Sequence, residues 1–563
     1  MNPKIKILLI DDDQLVVKTL TILLTRKGYS ITTANNAIEA ISKVAVSDFD
    51  LVISDIRMPG DNGIIAIEKI KQIHENRQVV CGYIFLSGYA EEDTPAHAIR
   101  LGVDKFLYKP FDNEVLIKNI EEEIDLVSKK RELKSPSVRP TIILTKDEID
   151  RPKRRRAVIT GVGVVAPNGI GKDAYWNGLK EGKNCVNEIT FFDISTYPSK
   201  MAAEVLNFNP SDFISQHSDI KRMARSSHLA IAAARLAFQD SGLNGTSNRN
   251  LSVILGSATA GIEYIVPEVR ALERGGIRKI RPYLGIAGFG GSISSEISRS
   301  IGAQAASHTI STGCTSSTDA MGYALRQIQF GLADYILTGG ADACVESGIL
   351  GAFCQMGAVS TRNHEFKKAS RPFNKDRDGF VIAEGSWIFI LEELEHALKR
   401  KAKIYGELVG YASTCDAWHM AKPHPSGEHT AKAIELALQD ASITPDQVDI
   451  FEAYGNATPI NDSYETAVIK KIFGKHAYKM AVPSVKSMLG HPIGAAGSQQ
   501  MAAALFALNE GWIHPTINYE VPDPECDLNC IPNVAQQGKF NIAICNSLAF
   551  GSKNSTIIVK KYD

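Results

Sequence analysis

Residues 308–331 read HTISTGCTSSTDAMGYALRQIQFG. The stretch opens on a β-rich run and reaches Cys314, after which a helix-periodic run begins with Ser and Thr residues suited to capping. The order strand, thiol, helix places Cys314 at a helix N-terminus. There the macrodipole favours a thiolate, so the spacing predicts a nucleophile held on a parallel α/β scaffold.

Two further stretches share this style. SVKSMLGHPIGAAGSQQMAAALFAL, residues 484–508, sets Lys486 and His491 in a small-residue loop before an alanine-rich helix. A lysine and an imidazole donor in a glycine-flanked turn reach a reacting carbonyl closely. ICNSLAFGSKN, residues 544–554, carries glycine and small residues that let backbone N–H groups approach a substrate oxygen. A helix-capped Cys and these loops in one domain point to acyl-thioester chemistry. A competing motif fails: TGVGVVAP, residues 160–167, offers G-x-G-x-x-A, but β-branched residues and Pro167 follow where a dinucleotide loop must enter a helix.

The chain has 563 residues, enough for two or more domains. A net charge of −1 points to neither nucleic acid nor a membrane surface. No apolar run is long enough to span a bilayer, and the first residues lack the flanks of a signal peptide. Nine scattered cysteines, without paired zinc-ligand spacing, suit a reduced, cytoplasmic setting.

The first 129 residues have a different character. Short apolar runs (KILLI, LVISD, GYIFLS, KFLYK) alternate with amphipathic stretches, among them TPAHAIRLG and NEVLIKNIEEEIDLVSKK. This alternation predicts a five-stranded parallel sheet with helices on both faces. Asp11, Asp12 and Asp13 follow the first strand. Asp55 ends the third, Ser87 the fourth, and Lys109 the fifth. In an open parallel sheet these ends share one edge, where sites form. Three carboxylates there suit a hard cation such as Mg²⁺, and a lysine with a hydroxyl suits phosphoryl oxygens. Residues 130–153 mix charge and proline without periodicity and read as a linker.

On these residues, the first segment resembles the flavodoxin-like receiver domain of two-component response regulators. The resemblance implies that Asp55 accepts a phosphoryl group while Asp11, Asp12 and Asp55 hold Mg²⁺. Lys109 would contact the phosphoryl group, and Ser87 and Phe106 would be the switch residues. It also implies a histidine kinase or phosphotransfer protein as partner.

Residues 154–561 resemble the elongating β-ketoacyl-acyl carrier protein synthases of the thiolase fold, through RRAVITGVGVVAPNG, TGCTSSTDA, SVKSMLGHPIGAAG and HPTINYEVPDPECDLNCIPN. The resemblance implies an αβαβα duplication, with halves at 154–405 and 406–563, usually a homodimer. It implies no tightly bound organic cofactor, because phosphopantetheine arrives on the carrier protein. Cys314 would take the acyl chain. His491 would hydrogen-bond the malonyl thioester, Lys486 would support the charge arrangement, and the N–H groups of Cys314 and Phe550 would form the oxyanion hole. Phe550 would also be the gate. Lys221, Arg222, Arg278 and Lys279 fall where that family docks its carrier protein.

The pattern breaks around one cavity. The family's H-G-T-x-T loop reads YGNAT here, so Tyr454 stands at a catalytic histidine and Asn456 at a threonine, with Thr458 kept. Gln500 replaces a glutamate, and the G-F-G-G gate reads Ala549-Phe550-Gly551-Ser552, with Ala549 expected to stiffen it. A phenol with a pKa near ~10 donates a hydrogen bond but is a poor base at neutral pH. Three readings follow: a phosphorylation-regulated condensing enzyme with an altered site, an acyl-loading transferase or acyl sensor that decarboxylates poorly, and a non-catalytic partner subunit.

Overall fold

The computed structural model describes residues 5–55, 63–77, 79–87, 105–109, 111–134, 154–243 and 248–562. The chain divides into two compact units, Met1–Pro152 and Lys153–Asp563.

In the first unit the strands Lys6–Ile10, Ser30–Ala34, Leu51–Asp55, Gly82–Ser87 and Lys105–Tyr108 form one parallel sheet. Its spatial order is second, first, third, fourth, fifth. The strand period of two sorts the apolar residues onto two faces. Leu8, Ile10, Val52 and Phe85 pack with Ala40, Val44, Ile67 and Ile70 from helices Ala37–Val46 and Gly63–Asn76. Ile7, Leu9, Ile53 and Leu86 pack with Leu20, Leu24, Leu116 and Ile120 from helices Gln14–Arg26 and Asn113–Lys134. Both faces are covered, as continuous apolar parallel strands require. The strand Ser30–Ala34 escapes a reading by apolar runs because SITTA is mostly polar. The helix expected at TPAHAIRLG lies outside the described residues. The last helix runs to Lys134, into the first residues assigned to the linker, because KKRELK still favours helix.

The second unit is built twice from one plan. In its first half the strands lie in the order Ala157–Ala166, Ile382–Glu393, Tyr335–Ala343, Ser252–Gly256, Ser307–Ile310. The first two pairings are antiparallel and the last two parallel. In the second half Gly406–Cys415, Lys553–Lys560, Ile542–Ala549 and Ile450–Glu452 repeat it: two antiparallel pairings, one parallel, and a parallel bridge from Ile450 to Ala481. Gly406–Cys415 pairs with Ala157–Ala166 and joins the halves.

Helices Ser316–Gln329 and Ala496–Glu510 pack together between the halves, on Trp387, Phe389 and Ile336 from one and Ala543, Cys545 and Ile557 from the other. Arg225–Ser241 and Ser292–Ile301 cover one outer face, and Glu428–Ala441 and Pro459–Phe473 the other. The result is the expected αβαβα layering. Every residue from Ala496 to Leu508 is buried, so this helix shows no polar stripe. Its small residues are required: a Cβ on Gly497 would stand 1.9 Å from the Thr318 hydroxyl. Ala157–Ala166 is a strand throughout, which rules out a dinucleotide loop there.

Candidate active site

The site lies where strand ends and central helices meet. A 3₁₀ turn, Gly313–Thr315, follows strand Ser307–Ile310 and leads into helix Ser316–Gln329. Ser316 fastens this turn, its hydroxyl accepting from Thr312 N at 2.9 Å and donating to Gly313 O at 2.6 Å. Cys314 is thus placed at a helix start, as the sequence predicts. Its charge state differs from expectation: full burial pushes the thiol up to about 11, against help from the Tyr454 hydroxyl and the Lys486 charge. The dipole acts over one helical turn, whereas burial removes the sulfur from water altogether, and burial wins. Cys314 rests as a thiol and needs a proton acceptor.

That acceptor is in reach. His491 Nε2 lies 3.3 Å from Cys314 Sγ. Burial, then the Lys486 charge, holds the imidazole well below its ordinary range, so it is neutral at physiological pH. Its backbone is fixed across the halves, with His491 N donating to Val381 O at 2.8 Å and its carbonyl accepting from Ala383 N at 3.0 Å. The adjacent Gly494 N donates to the buried Asp342 carboxylate, which also accepts from Ser257 and Thr259.

Tyr454 completes a triangle. Its hydroxyl sits 3.3 Å from His491 Nε2, the same nitrogen that faces Cys314 Sγ. The rings of Tyr454 and His491 meet edge to face, 5.5 Å apart. Burial raises the phenol well above its usual pKa, so it is a donor and never a base here. The loop is held from behind by Glu465, whose carboxylate accepts from Tyr454 N at 2.9 Å, Gly455 N at 3.0 Å and Asn546 Nδ2 at 2.7 Å. Asn456 accepts from Thr458 at 2.8 Å, an internal bond of the loop.

Lys486 opens the single helical turn Lys486–Leu489. Its Nζ is buried, sits 5.1 Å above the Tyr454 ring, and has no hydrogen-bond partner among the described residues. Burial lowers its pKa to about 8. Gln500 Nε2 donates to three backbone carbonyls, of Glu452, Ala453 and Asn546, all within 2.9 Å. The amide is therefore fitted to its surroundings, which a carboxylate is not.

The segment expected to form the gate is tied down at a residue the sequence reading did not single out, Ser552. Phe550 stacks near Phe353, centroids 6.1 Å apart. Ala549 ends a strand in ordinary extended backbone, but Ser552 has φ 62. Its hydroxyl donates to His419 O at 2.7 Å and accepts from His419 N at 3.2 Å, while Gly551 N donates to Met420 O at 2.7 Å. Ser552 thus ties the gate to the loop after strand Gly406–Cys415. A cavity of only about 20 Å³ remains beside Tyr454 and Phe550. Ser552→Gly removes both hydroxyl bonds to His419, of which the 2.7 Å one is the stronger, and relieves a left-handed residue. Loading of Cys314 in a single-turnover assay is expected to rise about fivefold, the worth of one ~1 kcal/mol hydrogen bond.

Two basic segments share a face. Lys221, Arg222, Arg278 and Lys279 are exposed. The Arg222 guanidinium lies 4.7 Å over the Tyr283 ring, and Tyr264, whose ring carries Arg281, donates to Lys221 O.

In the first unit, carboxylate oxygens of Asp11, Asp12 and Asp55 lie within 4.8 Å of one another. Asp13 is the N-cap of helix Gln14–Arg26 instead, accepting from Leu15 N at 2.8 Å. Lys109 Nζ donates to Asp11 at 2.7 Å and to Asp55 at 2.6 Å. Burial opposes its charge, but these two bonds raise its pKa. The three carboxylates form a hard, anionic donor set that fits Mg²⁺. Ser87 and Phe106 lie in strands Gly82–Ser87 and Lys105–Tyr108; their side chains lie outside the described residues.

Family models match in the same places. Residues 7–121 match the response regulator receiver domain, 154–397 the N-terminal domain of beta-ketoacyl synthase, and 405–520 its C-terminal domain. The chain is 39% identical over 412 residues to 3-oxoacyl-[acyl-carrier-protein] synthase 2 of Synechocystis, spanning 73% of this chain and 99% of that protein. It is 37% identical over 419 residues to the tetracenomycin polyketide synthase ketoacyl synthase alpha subunit of Streptomyces glaucescens, spanning 73% and 98%. Among solved structures, a type II polyketide acyl-carrier protein in complex with its ketosynthase superposes with a TM-score of 0.68 at 34% identity, spanning 73% of this chain and all of that one. This chain is therefore a member of the beta-ketoacyl synthase family that also carries a response regulator receiver domain.

Proposed function

We propose that the chain is a phosphorylation-regulated condensing enzyme that extends an acyl group on Cys314 with malonyl-carrier protein. The observation that carries it is the buried cluster of Cys314, His491 and Tyr454, in which His491 Nε2 lies 3.3 Å from both the thiol and the phenol. Neutral His491 takes the thiol proton. The sulfur then attacks the acyl thioester, a new C–S bond forms, and the phosphopantetheine thiol leaves with a proton. Malonyl thioester next loses CO₂, and the electrons of that C–C bond pass into an enolate. The enolate oxygen takes hydrogen bonds from His491 and the Tyr454 hydroxyl. The enolate carbon attacks the acyl-Cys314 carbonyl, the N–H groups of Cys314 and Phe550 stabilise the oxyanion, and the Cys314 thiolate departs.

The carrier protein docks on Lys221, Arg222, Arg278 and Lys279, and the synthase unit pairs with a second copy. The solved relative bound to its acyl-carrier protein supports the docking. In the receiver, Asp55 takes the phosphoryl group from a histidine kinase or phosphotransfer protein. Asp11, Asp12 and Asp55 would hold Mg²⁺, which neutralises phosphoryl charge when bound, and Lys109 contacts the phosphoryl oxygens. The protein works in the cytoplasm.

A second reading, acyl loading without decarboxylation, is favoured by the small cavity beside Tyr454. Tyr454→Phe separates the two. The Tyr454 hydroxyl reaches His491 rather than the sulfur, so loading is expected to stay nearly intact. Decarboxylation of malonyl-carrier protein is expected to fall roughly 10²–10³-fold, the range for one lost oxyanion donor. Equal decarboxylation by wild type and Tyr454→Phe favours the loading reading.

A further inference from the structure

Behind the triangle lies a buried pair that the reaction steps above do not use. Glu452 ends strand Ile450–Glu452, two residues before Tyr454, and is wholly buried. One carboxylate oxygen meets His514 Nε2 at 3.0 Å; His514 is equally buried, and its Nδ1 lies 3.2 Å from Pro515 O. The other oxygen, Oε2, has no hydrogen-bond partner among the described residues.

Lys486 Nζ, also without a partner, is the positive charge of this site. The carboxyl groups that act on it are Glu465, Glu452 and Asp462, in that order, with the Cys314 sulfur a further influence when ionised; His491 is its neutral neighbour and Tyr454 lies beneath it. Glu465 is committed to three donors around Tyr454 and Asn546. Asp462 is committed to Phe373 N at 2.8 Å and Ala457 N at 3.2 Å, with Arg377 3.8 Å away. Position 500 holds an amide surrounded by carbonyls. Glu452 alone among these carboxylates keeps a free oxygen.

Resting on the condensing reading, we propose that Glu452 is a positioning residue: His514 anchors one of its oxygens, and its charge keeps Lys486 an ammonium over the Tyr454 ring. The His514 imidazole fits this role, because burial lowers its pKa while Glu452, with the Pro515 carbonyl, raises it overall. The neutral Gln500 contributes no such charge.

The sign follows directly. Lys486 is useful as the cation and titrates near about 8. Removing the Glu452 charge favours the free amine, so activity is lost at a lower pH as pH rises. Glu452→Gln is nearly isosteric and keeps a hydrogen bond to His514. It is expected to move the alkaline limb of malonyl-carrier protein decarboxylation down by about one unit, an approximately fivefold loss at the pH where wild-type Lys486 is half charged. Glu452→Asp, which keeps the charge, is expected to restore most of the limb. In a Lys486→Met background Glu452→Gln is expected to add nothing, because the two act through one charge. An unmoved limb, or a Glu452→Gln effect that persists without Lys486, overturns the proposal. Should wild type fail to decarboxylate, the condensing reading fails by itself. The same set of variants is then compared by alkylation of Cys314 with iodoacetamide, where the Lys486 charge stabilises the thiolate. Slower alkylation in Glu452→Gln at mildly alkaline pH, restored by Asp, supports the proposal, and equal rates refute it.

Discussion

Cys314→Ala is expected to abolish the mass adduct that the full chain forms with acyl-carrier protein. In the proposed reaction the sulfur is the nucleophile, and it lies 3.3 Å from His491 Nε2, the proposed proton acceptor. Cys344 packs in the same cluster but is wholly buried, bonded to Thr259, and held well above the usual thiol range by that burial and by Asp342. The substitution removes one small side chain, and the expected cost in stability is at most about 1–2 kcal/mol. Unfolding therefore does not explain a null result, which circular dichroism checks. The wild-type adduct is expected to form faster as pH rises toward the thiol value of about 11. An adduct on Cys314→Ala would place the acyl group elsewhere and undo the assignment.

Asp55→Ala is expected to eliminate phosphate uptake from a small phosphodonor in the presence of Mg²⁺. Its carboxylate ends strand Leu51–Asp55, 2.6 Å from Lys109 Nζ and within 4.8 Å of the Asp11 and Asp12 oxygens. Phosphorylation adds a charge of about −1.5 to −2 at this edge. Lys109 is the cation that meets it, and Lys109→Ala is expected to leave uptake measurable while slowing it. Asp55 removal also frees Lys109 from one of two carboxylates, so the variant is expected to retain its fold. Phosphate on Asp55→Ala, measured by intact mass, would move the acceptor site to another residue.

Much of this arrangement is legible in the sequence, for stated reasons. Strand ends in parallel sheets converge, so Asp11, Asp55 and Lys109 meet although 98 residues separate the first from the last. Cys314 is announced by a strand-to-helix switch. The αβαβα plan comes through the resemblance rather than through periodicity, since a helix buried on all sides, such as Ala496–Glu510, has no stripe to read. What escapes is whatever depends on long-range packing. Nothing in IFEAY tells that Glu452 will meet His514, 62 residues later. The thiol's raised pKa comes from burial by elements of both halves, which local helix-terminus reasoning omits. The latch at Ser552 requires His419, 133 residues away, to lie against it. Tyr454 shows the boundary well: the sequence places it in the expected catalytic loop, while its 3.3 Å approach to His491 Nε2 appears only in three dimensions.

The central claim is that a site with a phenol in place of an imidazole still condenses. Incubating the full chain with acyl-carrier protein and malonyl-carrier protein, then weighing the carrier protein by intact mass, tests it most directly. The account predicts 3-oxoacyl-carrier protein with release of CO₂, at a rate that changes when Asp55 is phosphorylated. Accumulation of acyl-Cys314 beside intact malonyl-carrier protein would contradict it.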